Sequence, residues 1–329
     1  MDFGLVFKVS PINPSLSHCP RLLGVSDASS KAIAIAISVL AGGFMAVQAR
    51  VNSGLGVALE NGILAALISF SSGLVIIGVI VAISKRDRAK LRAFVSRIGR
   101  DFPLWGLAGG LLGGLFVITQ GTVAGVIGIS LFAVSVVTGQ ALAALTIDGR
   151  GLLGMTRRPL GLLRILGTTF AIAGLIVTGD FANYSFQPIS LLPFLAGIGI
   201  GFQQALNGNL GRQTESAVVA TLINFVLGTA LLAIALLVTN GGFQFSGEFP
   251  TEPVLYIGGL VGVVFIFVQV VLVPKIGTLA MGVSLLVGQL ISSLLLDLVA
   301  PISSREVTGY TLAGVLLALV GATLVASRR

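Results

Sequence analysis

Charge is scarce in this chain: Asp, Glu, Lys and Arg together make up 10% of its 329 residues. A soluble domain carries about 25%, so this one cannot cover a globular surface with polar groups. Its only cysteine, Cys19, excludes a disulfide framework and a cysteine-ligated metal. The only histidine, His18, stands beside it in a polar N-terminal stretch, which removes the commonest general base and metal ligand from the rest of the chain. No Walker lysine motif follows a glycine run, so ATP hydrolysis is not expected. No Ser/His/Asp constellation or cluster of acids is present either. These absences disfavour a membrane-embedded enzyme and lead to the expectation of no cofactor and no metal.

What the chain has instead is 55% hydrophobic residues and 44 glycines. That balance makes lipid its solvent, and glycine suits helices that pack closely in a bilayer. Residues 1–30 differ, with Pro11, Pro14, Pro20, several serines and no long apolar run. They read as a disordered cytoplasmic tail or a mis-assigned start, because a signal peptide needs an apolar region behind basic residues. A spanning helix needs about 20 mainly apolar residues. Ten such segments follow, near 32–50, 62–84, 103–122, 126–147, 160–178, 190–209, 217–239, 253–273, 276–299 and 308–326. Two connections, near Gly121–Gly125 and Pro274–Gly277, are so short that only tight helical hairpins fit them.

The net charge of +8 is distributed by side. With the N-terminus inside, 18 Lys and Arg residues fall on inner segments and only Arg50 and Arg305 on outer ones. That asymmetry is the positive-inside pattern of topology determinants, with contacts to anionic membrane lipid. It gives an inner-membrane, multi-pass protein with both termini cytoplasmic and no nucleic-acid partner.

The chain also resembles itself. Residues 41–75 align with 196–230 at an offset of 155, with 12 of 35 positions identical, among them Gln48/Gln203, Asn52/Asn207, Glu60/Glu215 and Phe70/Phe225. Residues 109–148 align with 258–297 at an offset of 149, with 14 of 40 identical, among them Gln120/Gln269, Ser135/Ser284, Gln140/Gln289 and Asp148/Asp297. Apolar matches carry little weight in such spans; the rare polar ones carry the repeat. Five spans per copy is an odd number, so the second copy enters the membrane inverted. The basic 84–102 loop has the Lys/Arg-free 240–252 loop as its counterpart. The reading is an all-α integral membrane protein of about ten transmembrane helices, with repeats over 31–179 and 190–327. Inverted repeats are a recurrent plan of secondary transporters.

The repeated text Ala46-Val47-Gln48-Ala49-Arg50-Val51-Asn52 with Leu55-Gly56, echoed by Gln203-Gln204-Ala205-Leu206-Asn207-Gly208, resembles the YdcZ-type branch of the drug/metabolite transporter superfamily. The likeness spans about 31–327 and is to the version with both halves fused. It implies two inverted five-helix bundles of EamA-like fold, an inner-membrane location and a transport role, without naming a substrate. Small multidrug members of the superfamily carry a carboxylate within their first helix. Here that helix holds Gln48 and Asn52, so the resemblance does not carry over proton-coupled export of cationic drugs.

Polar groups within a bilayer are costly and usually face the protein interior. Gln48 and Asn52 are four residues apart and share a helix face, and Gln203 and Asn207 repeat them. Together they are candidates to line a central substrate pathway, where neutral amides can both donate and accept. The plainer alternative is that they cap broken helices, since Asn52-Ser53-Gly54 and Asn207-Gly208-Asn209 look like helix ends, or bond helix to helix. Gln120, Gln140, Gln269 and Gln289 are deeper candidates for the pathway, or for interhelical packing. Ser135 and Ser284 are expected to bond back to their own helix carbonyls. Asp148 and Asp297 are candidates for proton coupling if buried, or interfacial acids reaching headgroups or a loop partner such as Arg305. Glu60 and Glu215 start the second and seventh spans and are expected to serve helix N-termini. Gly109 and Gly113 have the spacing of a close helix contact.

The sequence therefore points to a secondary transporter, an exporter or facilitator of a small metabolite. The alternative is translocation of a lipid or lipid-linked precursor. A fused two-half chain has less need to pair than a single-half one, so the expectation is a monomer or a homodimer.

Overall fold

The computed structural model describes residues 27–154, 161–179, 188–240, 249–301 and 306–326. The tail before Asp27, with His18 and Cys19, and Arg305 lie outside the described residues. Ten α-helices follow in order: α1 Asp27–Ala58, α2 Gly62–Ile83, α3 Lys85–Val95, α4 Ala108–Ile127, α5 Ile129–Arg150, α6 Leu162–Gly179, α7 Leu191–Thr214, α8 Ala217–Asn240, α9 Gly258–Val299 and α10 Gly309–Ala326. Seven of the helical segments are long and apolar enough to cross a membrane, and Gly258–Leu272 and Gly309–Leu324 are shorter apolar stretches. The segment α7 falls outside both groups because Gln203, Gln204, Asn207, Asn209, Arg212 and Gln213 dilute its hydropathy. Outward side chains are apolar, as with Leu40, Val75, Ile234 and Leu316, all more than half exposed. Such a surface is stable against lipid and costly in water.

At 42 residues, α9 would run about 63 Å if straight, twice the hydrocarbon thickness of about 30 Å. Its contacts with α1 show that it is not straight. Gly258 and Gly262 lie against Asn52 and Gln48, an antiparallel approach. Met281 meets Ser38, Leu285 meets Gly42 and Ser292 meets Gly43, a parallel one. The helix therefore doubles back between Leu272 and Met281 and makes two passes. Its counterpart is the α4–α5 hairpin, which turns at Gly128 with φ 84°, a left-handed conformation that glycine adopts at little cost. Along α7, Gly109 and Gly113 of α4 run antiparallel and Gly139 of α5 lies beside Phe194.

The two halves meet across a pseudo-twofold axis. Phe70 of α2 and Phe225 of α8 stack at 5.0 Å, tilted by 42°. Each ring fills the place where a side chain on Gly228 or Gly73 would stand. On another side of the bundle, α6 packs on α10 with Gly174 and Gly314 back to back. Ring-on-glycine and glycine-on-glycine contacts let backbones approach closely where no hydrophobic force distinguishes protein from lipid.

Three expectations are corrected. Helix α3 occupies the segment read as a loop: Ser84 accepts from the Asp87 N–H as its cap, and Phe94 turns inward against Phe102 at 5.0 Å. The sequences Asn52-Ser53-Gly54 and Asn207-Gly208-Asn209 are not helix ends. Both lie inside continuous helices, because the asparagine amides bond to neighbouring helices and do not compete for their own backbone. Glu60 and Glu215 do not cap. Each takes a left-handed backbone, φ 52°, after α1 and α7. The acceptor at the start of α2 is Asn61, whose Oδ1 receives the N–H groups of Ile63 and Leu64, and at the start of α8 it is Ser216.

Two faces of the bundle can now be told apart. The basic face carries α3 and the α7–α8 turn; the opposite face carries the α1–α2 turn and Gly128.

Candidate functional site

Nearest the opposite face, α1, α2, α4 and the first pass of α9 converge on one amide cluster. Gln48 Nε2 donates to the Gly258 carbonyl at 2.9 Å. Gln120 Nε2 donates to Gln48 Oε1 at 3.5 Å, and Asn52 Nδ2 donates to Gln120 Oε1 at 2.7 Å. The chain of bonds starts on a backbone carbonyl, which can only accept. Every amide orientation along it is therefore fixed, and the free atom at its end is Asn52 Oδ1. That oxygen and Ser69 Oγ are buried without a partner.

The inverted copy lies towards the basic face, where α7, α8 and the two passes neighbouring them meet. Asn207 Nδ2 reaches Gln269 Oε1 only at 3.4 Å. Gln203 Oε1, Gln269 Nε2, Asn207 Oδ1 and Asn224 Oδ1 are buried and unpartnered. Asn224 Nδ2 donates to the Ala220 carbonyl at 2.9 Å, which fixes Asn224 Oδ1 as the free end. None of Gln48, Asn52, Gln120, Gln140, Gln203, Asn207, Gln269 and Gln289 is more than 5% exposed. An unpaired buried polar atom costs about 1–3 kcal/mol.

The structure thus gathers six of the expected amides into two clusters of three, one per half, rather than four into a single central cavity. The Phe70–Phe225 pair lies between them: Phe225 shares the Gly262 surface with Gln48, and Phe70 shares the Gly113 surface with Gln203. Ser69 and Asn224 were missed in the sequence reading. They occupy the same repeat offset of 155 as the amides, so the alignment held the signal, but they differ in identity.

A family model described as "Putative inner membrane exporter, YdcZ" matches residues 33–177 and, again, 189–324. The chain belongs to this family. It carries the YdcZ unit twice, as a fused two-half member of the drug/metabolite transporters. A protein of known crystal structure superposes with a TM-score of 0.53 at 18% identity, over 90% of this chain and 96% of its own. At that identity the likeness is one of fold. No curated protein matches the chain.

The remaining candidates of this YdcZ-family protein lie apart from the two clusters. Gln204 Nε2 donates to Gln140 Oε1 at 3.1 Å, joining α7 to α5, and Gln140 Nε2 is unpartnered. Gln289 Oε1 is likewise buried and unpaired. Ser135 Oγ bonds back to the Leu131 carbonyl at 2.7 Å. Asp297 sits at the opposite face, where Oδ1 accepts from the Ile129 N–H at 3.0 Å and Oδ2 from the Ser130 N–H at 2.6 Å. Its carboxylate closes the N-terminus of α5, where orphan N–H groups and the helix dipole favour an anion. The side chain of Asp148 lies outside the described residues. Arg50, counted as an outer-side charge, donates from Nε to the Ala300 carbonyl at 3.0 Å.

Proposed function

We propose that this protein is a secondary transporter that exports, or equilibrates, a small polar metabolite by alternating access. What carries the reading is the inverted pair of buried, uncharged amide clusters, Gln48/Asn52/Gln120 and Gln203/Asn207/Gln269, one towards each face. Inverted repeats around a midplane site allow the two halves to exchange conformations. Amides offer a solute both donors and acceptors to replace its water. The basic face, with α3, is cytoplasmic by the positive-inside rule, so Asn207 and Gln203 meet a cytoplasmic solute first.

The test compares metabolites in cells and medium, without a preset target, in a null strain, a wild-type overexpressor and two mutant overexpressors, Gln48→Ala/Asn52→Ala and Gln203→Ala/Asn207→Ala. One compound class moving only with the wild-type protein is the expected result. Unchanged soluble metabolites at verified expression would sink the polar-solute reading.

A further inference from the structure

Four oxygens on the two clusters are free in the same way in both halves. At the opposite face they are Asn52 Oδ1 and Ser69 Oγ; at the basic face they are Asn207 Oδ1 and Asn224 Oδ1. All four residues are at least nine-tenths buried. Each pair points at one backbone atom of the other half, the α-carbon of a glycine at the start of a helix. A Cβ on Gly109 of α4 would stand 2.6 Å from Asn207 Oδ1 and 3.2 Å from Asn224 Oδ1. A Cβ on Gly258 of α9 would fall within 3.0 Å of both Asn52 Oδ1 and Ser69 Oγ. The same arrangement built twice, with different side chains on α2 and α8, is a feature of the fold and not an accident of packing.

A glycine Cα–H against an amide oxygen is at best a weak partner. It covers the oxygen without satisfying it. An N–H or O–H donor would satisfy it, and no charged side chain competes within either cluster.

We propose that Asn224 with Asn207, and Ser69 with Asn52, are two stations that bind the donor groups of the transported solute, and that Gly109 and Gly258 are the stoppers that cover each station when its face closes. The proposal rests on the transport reading and adds to it the class of solute, one that presents N–H or O–H donors to acceptor oxygens. It also assigns Ser69 and Asn224, whose difference makes the two stations unequal: a hydroxyl that can donate as well as accept on one side, and on the other an amide whose free end only accepts. A solute held by Asn224 through a donor can be passed to Ser69 with either polarity.

Labelling tests this without knowing the solute. Cys19 is the only cysteine, so Cys19→Ser gives a clean background for Asn224→Cys or Ser69→Cys. A membrane-impermeant maleimide is applied to sealed vesicles of each orientation. With both glycines present, the two cysteines should be slow to react. Adding Gly109→Ala should raise labelling of Asn224→Cys from the basic face alone, by roughly 5- to 150-fold, the shift that ordinary coupling energies produce in a two-state equilibrium. Adding Gly258→Ala should do the same for Ser69→Cys from the opposite face alone. If Gly109→Ala fails to insert, Gly110→Ala replaces it, since its Cβ would stand 2.6 Å from the Asn224 carbonyl oxygen. Rates unchanged by alanine, or equal from both faces, would overturn the proposal. A flat metabolite comparison with the labelling pattern intact rejects transport; moving metabolites with flat labelling reject the stoppers.

Discussion

The two ends of the bundle are built from the same repeat and closed by different means. At the opposite face, Gly56 and Gly62 press on the backbone of Gly121. There Gln48, Gln120 and Asn52 form a connected run of bonds, and within that cluster only Asn52 Oδ1 and the neighbouring Ser69 Oγ remain free. At the basic face, Gly211 meets the side chain of Val270, and Ala217 stands where Gly62 stands in the other copy. Between helices the amides there are joined by one long bond, Asn224 bonds only back to its own helix, and four polar atoms are free. What replaces tight packing is a strap: Asp87, Lys90 and Arg97 of α3 and the segment after it bind Ser216, the Glu215 carbonyl and Gln213 of the α7–α8 turn. Backbone packing on one side and polar contacts near solvent on the other make the basic face the easier one to open.

The largest effect should come from a matched pair of substitutions at repeat-equivalent positions. Gly56→Ala puts a methyl inside 3.0 Å of the Gly121 carbonyl, backbone that cannot move aside. Gly211→Ala puts one against the end of Val270, a side chain that can turn. Overpacking of the first kind costs about 1–3 kcal/mol. Thermal unfolding in detergent should show Gly56→Ala clearly less stable than Gly211→Ala. Equal losses would remove the difference in closure between the two ends.

A second pair probes the amides. Asn52→Leu breaks a 2.7 Å bond and strands Gln120 Oε1 in a buried site, at about 1–3 kcal/mol. Asn207→Leu loses only a 3.4 Å contact, and since each substitution deletes one unpaired oxygen the difference lies in the bond; its cost should be nearer the ~0.6 kcal/mol average for interhelical bonds in membranes. Unfolding of both variants in one detergent decides it; the reverse order would mean that the opposite-face cluster is no better bonded than its copy.

Much of this plan was legible in the sequence, because it is written in rare letters. Gln48, Asn52 and Gln120 recur as Gln203, Asn207 and Gln269 at fixed offsets, and polar residues in apolar helices must face protein. The helical hairpin after Leu272 was legible from length alone. The inequality of the ends was not. Ser69 and Asn224 are ordinary residues until their partners are known, and a bond of 2.7 or 3.4 Å depends on how helices settle, which spacing does not fix. Helix α3 was hidden by its own charge: Lys85, Arg86, Arg88, Lys90 and Arg92 read as a solvated loop, and only Phe94 marks the buried side. Asn52-Ser53-Gly54 misled because its residue types favour helix ends when their side chains are free to bond locally, and here Asn52 is engaged elsewhere.

The smallest effect belongs to the strap, and its sign follows from Asp87. The Ser84 hydroxyl, at 2.5 Å, and the Ser216 hydroxyl, at 2.7 Å, both donate to this carboxylate. They hold its pKa below the ordinary 3.8, with the Ser84 bond the larger cause. A carboxyl lowered on folding stabilises the folded state above its unfolded pKa, and that stabilisation is lost as pH falls through the lowered value. Wild type should therefore unfold at a higher temperature than Asp87→Asn near neutral pH, and the gap should narrow as the pH is taken below the ordinary 3.8. Other acids titrate in the same range, but they do so in both proteins, so the gap isolates this one. A gap that stays constant into acid would mean that α3 holds the α7–α8 turn through Arg97 and Lys90 without help from the carboxylate. The basic face would then be fastened by its cations alone, and salt rather than acid would loosen it.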